Sequence, residues 1–235
     1  MTWNEVFCNT FKELLKRISP ETRKQVDLML PSWPMVDACR ADSLDAFQPF
    51  IAAGKLSVED MCQACDRYHL GQTKTGTPIF WMIDDMNTPL DAHIGDRWIS
   101  TLLKNREPLI KSWHVTHCLF GLHLLTHAES PISIVESESS AIVLSALFPE
   151  TIWLAYATTT HLVPDLFAPL EGHIVTIYPN TDPTLSNYLF FQDLVTLTQQ
   201  QYDLDITISP LLEDNATPTQ KERNIDLLDY LKESL

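Results

Sequence analysis

Apolar residues recur at spacings of three and four through Trp3, Phe7, Phe11, Leu14, Leu15 and Ile18, which predicts a helix with one buried face at the start of the chain. Pro31 and Pro34 break that pattern. Ser43 can cap a second helix carrying Phe47, Phe50 and Ile51, and Gly54 can end it. Ser57, with Glu59 and Asp60 behind it, predicts a third helix over 58–67, its acids placed where the helix dipole favours them. At Thr77 the period changes. The stretch TPIFWMID, 77–84, is rich in β-formers and predicts a strand, with Pro78 at its start or on an edge. Strand-like or irregular chain continues to Trp113, and HCLFGLHLL, 117–125, predicts a helix or a buried apolar segment.

From Pro131 the pattern is regular. Strands are expected at Ile132–Val135, Thr151–Ala155, Ile174–Tyr178 and Ile206–Ile208. Helices are expected at 139–147, 161–169, 184–201 and 218–233, the last opened by a capping box, Thr217-Pro-Thr-Gln220. Short buried strands alternating with helices predict β-α-β units and a parallel sheet. The expected class is α/β: a mostly parallel sheet flanked by helices over 129–235, preceded by a helical and β-rich region over 1–128.

Composition narrows the classes. The chain has 235 residues, 45% of them hydrophobic, enough for a sizeable core. No run approaches the ~18 uncharged apolar residues of a membrane helix, so no membrane association is expected. The opening MTWNEVFCNTFKELLKR lacks a basic region followed by an apolar run, so no signal peptide is expected either. Five cysteines at scattered spacing imply no disulfide framework and fit a reduced cytoplasm. The net charge is -15, which repels a phosphate backbone on average. Nucleic acid as a partner would therefore not be held through a strong basic patch, the nearest candidates being Lys104 and Arg106 with Lys111, and Lys12 to Lys24. A protein partner stays open.

Acids mark two of the expected strand ends. The first strand runs into Glu136-Ser-Glu138 and the third into Asn180-Thr-Asp182, while NIDLLDYL adds Asp226 and Asp229. Oxygen-rich clusters at the carboxyl edge of a sheet are a common setting for Mg²⁺ in phosphoryl transfer. The bland alternative is that Glu138 caps one helix and Asp182 begins another. Other motifs carry less. Cys62-Gln-Ala-Cys65 has the spacing of half a zinc site, and there is no second pair. His123 and His127 stand four apart without the glutamate of a zinc-protease motif. Ser137 lacks a nucleophile elbow, and no phosphate-binding GxxxxGK[ST] loop occurs.

The order strand–Glu–helix–strand–loop–helix–strand–Asp-x-Asp resembles the Toprim domain of bacterial primases and topoisomerases. IVESESSAIVLSALFPETIWLA and VTIYPNTD look closer still to an uncharacterised Toprim-like family of plasmids and conjugative elements in gut bacteria, whose wording is nearer to IVESEKTA, WLATGG and LYPDTD. The segments YHLGQTKTGTPIFWMID, CLFGLHLL and ISPLLEDNATPTQKERNIDLLDYL extend the likeness over residues 43–233. The resemblance implies a primase-related protein of DNA replication on a mobile element, with Mg²⁺-dependent nucleotidyl or phosphoryl transfer on nucleic acid. Glu136 would be the catalytic acid or base; Asp182, Asn180, Glu138 and Asp226 would supply metal ligands. Several positions depart from the family. Ser139 replaces a Lys, Ala157-Thr158-Thr159 replaces a glycine turn, and Asn180 replaces the first Asp. These changes suggest an eroded site with weak metal binding, and they leave open a degenerate Toprim fold that serves as an interaction or accessory protein.

Overall fold

The computed structural model describes residues 31–41, 43–95, 97–104, 117–127 and 130–234. The helix predicted over Trp3–Ile18 and the Arg106 to Lys111 patch lie outside them. Two compact units divide the chain, Met1–Cys118 and Leu119–Leu235.

The first unit is built on a four-stranded antiparallel sheet, in the order β1 (Gly71–Gln72), β2 (Pro78–Ile83), β3 (Pro89–Ile94), β4 (Arg97–Trp98). Among the described residues four helices accompany it: α1 (Trp33–Ala38), α2 (Gln48–Ala52), α3 (Val58–Arg67) and α4 (Ile99–Lys104). The expected helix over Phe47–Ile51 is thus a 3-10 turn, Asp45–Phe47, leading into α2, and Gly54 follows at φ 70°. Ser57 caps α3 as predicted, accepting the Asp60 amide at 3.0 Å. Met61, Ala64 and Cys65 are its buried face. In the core, Met35 and Val36 of α1 pack with Ile79, Trp81 and Ile83 of β2. β1 needs a glycine to reach β2: a Cβ on Gly71 would stand 2.8 Å from Trp81 Nε1 and 2.9 Å from Ile79 Cβ. Asp91, fully buried on β3, holds the start of α4 by accepting the Ser100 amide at 3.0 Å and its hydroxyl at 2.6 Å.

The second unit carries the expected parallel sheet. Its strands are β5 (Ile132–Val135), β6 (Ile152–Ala155), β7 (Ile174–Ile177) and β8 (Asp205–Ile208), in the order β6-β5-β7-β8 with every neighbour parallel. All four carboxyl ends therefore share one edge. The free side of β6 is met by Phe120, which exchanges two backbone hydrogen bonds with Ala155 at 2.8 and 3.1 Å. That bond explains why residues 119–127 go with this unit, where the sequence reading joined them to the region before it.

Helix α5 (Glu138–Leu147) follows β5 and packs along β5 and β6; Ala141, Ile142, Val143 and Leu144 are all buried, as in a helix covered all round. Helix α6 (Ser186–Gln201) packs along β8 through Phe191, Leu194 and Val195. Two helical expectations are corrected here. Residues 161–169 form no α-helix; the segments Thr159–His161 and Pro164–Leu170 are 3-10, because Pro164 and Pro169 bring no N–H to an α-helical ladder. The helix expected over 218–233 is two helices, α8 (Pro218–Glu222) and α9 (Leu227–Ser234), with Asn224 between them at φ 50°. A short α7 (Leu211–Asn215) precedes them. The predicted capping box is present: the Thr217 hydroxyl accepts the Gln220 amide at 3.3 Å and the Gln220 side chain accepts the Thr217 amide at 2.8 Å. Ile225 and Leu228 are buried, and Leu231 is half-buried. Among the described residues no helix is long and apolar enough to cross a membrane.

Candidate functional site

Strand register sets the site. Val135 pairs with Ala155, so Glu136 and Tyr156 leave the sheet side by side, and Ile134 pairs with Ile177, so the loop Pro179–Asp182 leaves at the same edge. The Tyr156 amide donates to the Val135 carbonyl at 3.2 Å and the Ala157 amide to the Glu136 carbonyl at 2.9 Å, extending the ladder one residue past β6. Ser137 then starts α5 by accepting the Ser140 amide at 3.4 Å. Glu138, the first residue of α5, is buried in a turn where negative charge suits the dipole.

The C-terminal segment brings a further acid. The Thr181 amide donates to the Ile225 carbonyl at 3.1 Å, which ties the loop after β7 to the residue before Asp226. Asp226 is buried. Its Oδ1 accepts the Asp229 amide at 2.8 Å at the start of α9, and its Oδ2 accepts the Ser140 hydroxyl of α5. Asp229 itself turns outward to Lys232 at 3.1 Å.

The charge of Asp226 reaches Glu136. Burial raises the Glu136 carboxyl above its ordinary range, the charge of Asp226 adds to the rise, the Tyr156 hydroxyl pulls the other way by hydrogen-bonding to it, and Glu138 pushes up again. Asp226 is likewise raised, first by burial; the Ser140 hydroxyl and the Asp229 amide work against that. Burial, then the charges of Glu136 and Asp226, keep the Tyr156 phenol protonated far beyond its usual limit.

Asp182 behaves differently. It too is buried, yet both oxygens are engaged by the start of α6. Oδ1 accepts the Thr184 amide at 2.8 Å and the Thr184 hydroxyl at 2.5 Å, and Oδ2 accepts the Asn187 amide at 2.8 Å. Burial alone would raise this carboxyl; the Asn187 amide and the two Thr184 donors overrule it and hold the group well below the usual range. Asn180 has a buried Oδ1 with no hydrogen-bond partner, and so does the Thr181 hydroxyl beside it.

Of the residues predicted from sequence, then, Glu136 lies within reach of the charges of Asp226 and Glu138, Asn180 stands on the same edge with an unused oxygen, and Asp182 spends its carboxylate on a helix. Sequence reasoning missed Tyr156 and Ser140. Tyr156 was signalled by position, since it follows the second strand as Glu136 follows the first. Ser140 was concealed in an apolar helix, and only its facing acid gives it a role. The other candidates stay separate. Cys62 is exposed while Cys65 is buried, with its thiol pushed up to about 12, first by burial. His123 is buried in the 3-10 segment Leu122–His127, where residues four apart do not share a face. Among the described residues no three His, Cys, Asp or Glu side chains form a ready-made metal cage.

A family model spans this edge, matching residues 46–181, more than half of the chain. The chain belongs to the DUF6371 family, a domain of unknown function. The matched segment starts within the Asp45–Phe47 turn and stops just before Asp182, so it contains Glu136, Glu138, Tyr156 and Asn180 but not Asp226. No curated protein matches the chain.

Proposed function

We propose that the carboxyl edge of the parallel sheet is a weak divalent-cation site of a primase-related, Toprim-like protein, used in phosphoryl or nucleotidyl transfer on nucleic acid. The observation that supports this best is the pair Glu136–Asp226: a half-buried carboxyl and a buried one, both raised first by burial, with the charge of Asp226 raising Glu136 further, an arrangement that a cation relieves. The donor chemistry fits a hard ion. Glu136, Asp226 and the unused Oδ1 of Asn180 are the residues that would hold Mg²⁺, Asp226 through the lone pairs that the Asp229 amide and the Ser140 hydroxyl leave, while Asp182, with three donors on its oxygens, fits less well. When bound, the ion would supply neutralisation of charge on a phosphate oxygen. Glu136 itself, raised toward neutrality, suits the role of acid or base. A reducing cytoplasm and an origin on a mobile element belong to the same reading; the first is supported by the free thiols of Cys39, Cys62, Cys65 and Cys118, the second by sequence resemblance alone.

The test is a Mg²⁺ and Mn²⁺ titration by calorimetry. Wild type should bind weakly, Glu136→Gln and Asp226→Asn should abolish binding, and Asn180→Asp should tighten it by restoring a charged ligand. A wild-type chain that binds neither ion, with Asn180→Asp no better, removes the metal reading.

A second reading has its own support. The occupied carboxylate of Asp182, the neutral Asn180 and the net charge of -15 favour a Toprim-like fold that has left catalysis and works as an accessory protein for a protein partner. It predicts no primer synthesis by the isolated chain at any Mg²⁺ concentration.

A further inference from the structure

We infer that Cys62 and Cys65 of α3 form a two-thiolate site for a soft monovalent cation of the Cu⁺ type, in a cleft of the first unit. The cleft measures about 180 Å³. One wall carries Cys62, Cys65, Asp66 and His69; the other carries Arg40 and Ser43. The first four stand at i, i+3, i+4 and i+7, the spacing that puts side chains on one helix face. Both thiols are free, Cys62 exposed and Cys65 buried. The end of the helix fixes this wall. The Leu70 amide donates to the Cys65 carbonyl at 2.9 Å and the His69 amide to the Asp66 carbonyl at 3.1 Å, the paired bonds of a Schellman ending. Such an ending needs a left-handed residue, usually glycine. Here His69 takes that place at φ 51°, and its ring packs edge-on against Trp33 with centroids 4.9 Å apart. The Ala41 amide donates to the Leu70 carbonyl at 3.0 Å and so ties one wall to the other.

Spacing favours an ion over a disulfide. Residues three apart on a helix have Cβ atoms ~5–6 Å apart, whereas a disulfide needs ~3.5–4.5 Å, so an S–S bond would have to distort α3. An ion with bonds of ~2.3 Å to sulfur spans the wider gap with the helix intact. Ligand type favours a soft ion, because thiolates select Cu⁺ and Zn²⁺ over the hard ions that carboxylates take. Ligand number and charge favour the monovalent one. Among the described residues no three metal-ligating side chains converge, so the cleft offers a pair. Two thiolates in line satisfy Cu⁺, where Zn²⁺ takes four ligands. On binding, each thiol gives its proton to solvent and forms one bond to the ion, which leaves a complex with one net negative charge. Arg40 lines the same cleft and complements that charge. Its tie to Asp66 is loose, 3.7 Å between two exposed side chains, and leaves it available.

The experiment titrates Cu⁺ anaerobically into the full reduced chain against bicinchoninate, a chromogenic Cu⁺ chelator. Cys62→Ser and Cys65→Ser should each lose at least the ~100-fold in affinity that even an indirect partner of a metal can command. Cys39→Ser should leave affinity unchanged, and Arg40→Gln should weaken it severalfold, more at low salt. A second measurement needs no variant to fold: iodoacetamide alkylation followed by peptide mass spectrometry. Bound Cu⁺ should shield Cys62 and Cys65 together and leave Cys39 as reactive as before. Cysteines 62 and 65 alkylated equally fast with and without the ion overturn the inference, as do serine variants that hold Cu⁺ like wild type. A pair that takes Zn²⁺ and does not exchange it for Cu⁺ overturns the choice of a monovalent ion.

Discussion

Two loops at the carboxyl edge of the parallel sheet treat their acids in opposite ways. After β7, Asp182 is surrounded by amide and hydroxyl donors and ionises far more readily than a free aspartate. After β5, Glu136 meets Asp226 and Glu138 with only one hydroxyl to favour its charge, and it holds its proton longer. Asp182 is buried and Glu136 half-buried, and burial pushes both carboxyls upward, so it does not set the direction in which they part. The donors do. A carboxylate whose lone pairs are filled by a helix start is a structural part; one that is buried opposite another carboxylate has unspent acidity. The antiparallel unit supplies an intermediate case in Asp91, raised by burial but answered by Ser100 and with no acid pressed against it.

The sharpest way to break this contrast is Asp182→Ala. Removing an acceptor that serves three donors at the start of α6 should cost about 2–3 kcal/mol, read as a fall in urea midpoint. The sign with pH follows from its lowered pKa: the contribution is complete above the unfolded value of ~3.9 and is lost as pH falls through the folded value. The gap between wild type and variant should therefore close below about pH 4. Asp226→Asn should behave the other way. A raised pKa gives a contribution that is intact below the unfolded value and lost as pH rises through the folded one, so wild type weakens toward neutral pH and the neutral variant does not. The variant should gain on wild type between pH 4 and pH 8; equal midpoints at both pH values would dissolve the contrast. Thr217→Ala sharpens it from a distance, by loosening the capped helix that delivers Asp226, at a cost of ~1 kcal/mol. The smallest effect is expected from Ala157→Gly. Alanine in the left-handed region is strained, and glycine there should stabilise by up to about 1 kcal/mol, less the entropy that glycine loses on folding. A loss of stability would show that the turn after Tyr156 is not under strain.

The parallel sheet was legible because ISIV and IVTIY are apolar runs separated by helical stretches, the first buried on both faces, and the ends of β5 agree with the expectation to the residue. Helix caps were legible where a single side chain decides them, as at Ser57 and Thr217. The errors came where apolar period and backbone chemistry disagree. Residues 161–169 have a helical pattern, but two prolines force the tighter 3-10 geometry. Residues 218–233 have one too, and the left-handed Asn224 breaks it without any glycine to announce the break. The site was legible as a set of acids but not as a set of partners. Asp182 and Asp226 look equivalent as letters. Only the fold tells that donors hold Asp182 below the usual range while Asp226 stays raised and reaches Glu136.

The strand order has a practical consequence for anyone who would work with the family-matched piece alone. A chain trimmed to residues 46–181 would keep β5, β6 and β7 and discard β8 and α6. Ile174–Ile177, paired along its length with Asp205–Ile208, would then become a naked border of unpaired amides and carbonyls beside uncovered isoleucines. Such a border invites a second chain to add itself, and the fragment should clump rather than fold. The segment that marks kinship is thus shorter than the segment that can stand in water by itself.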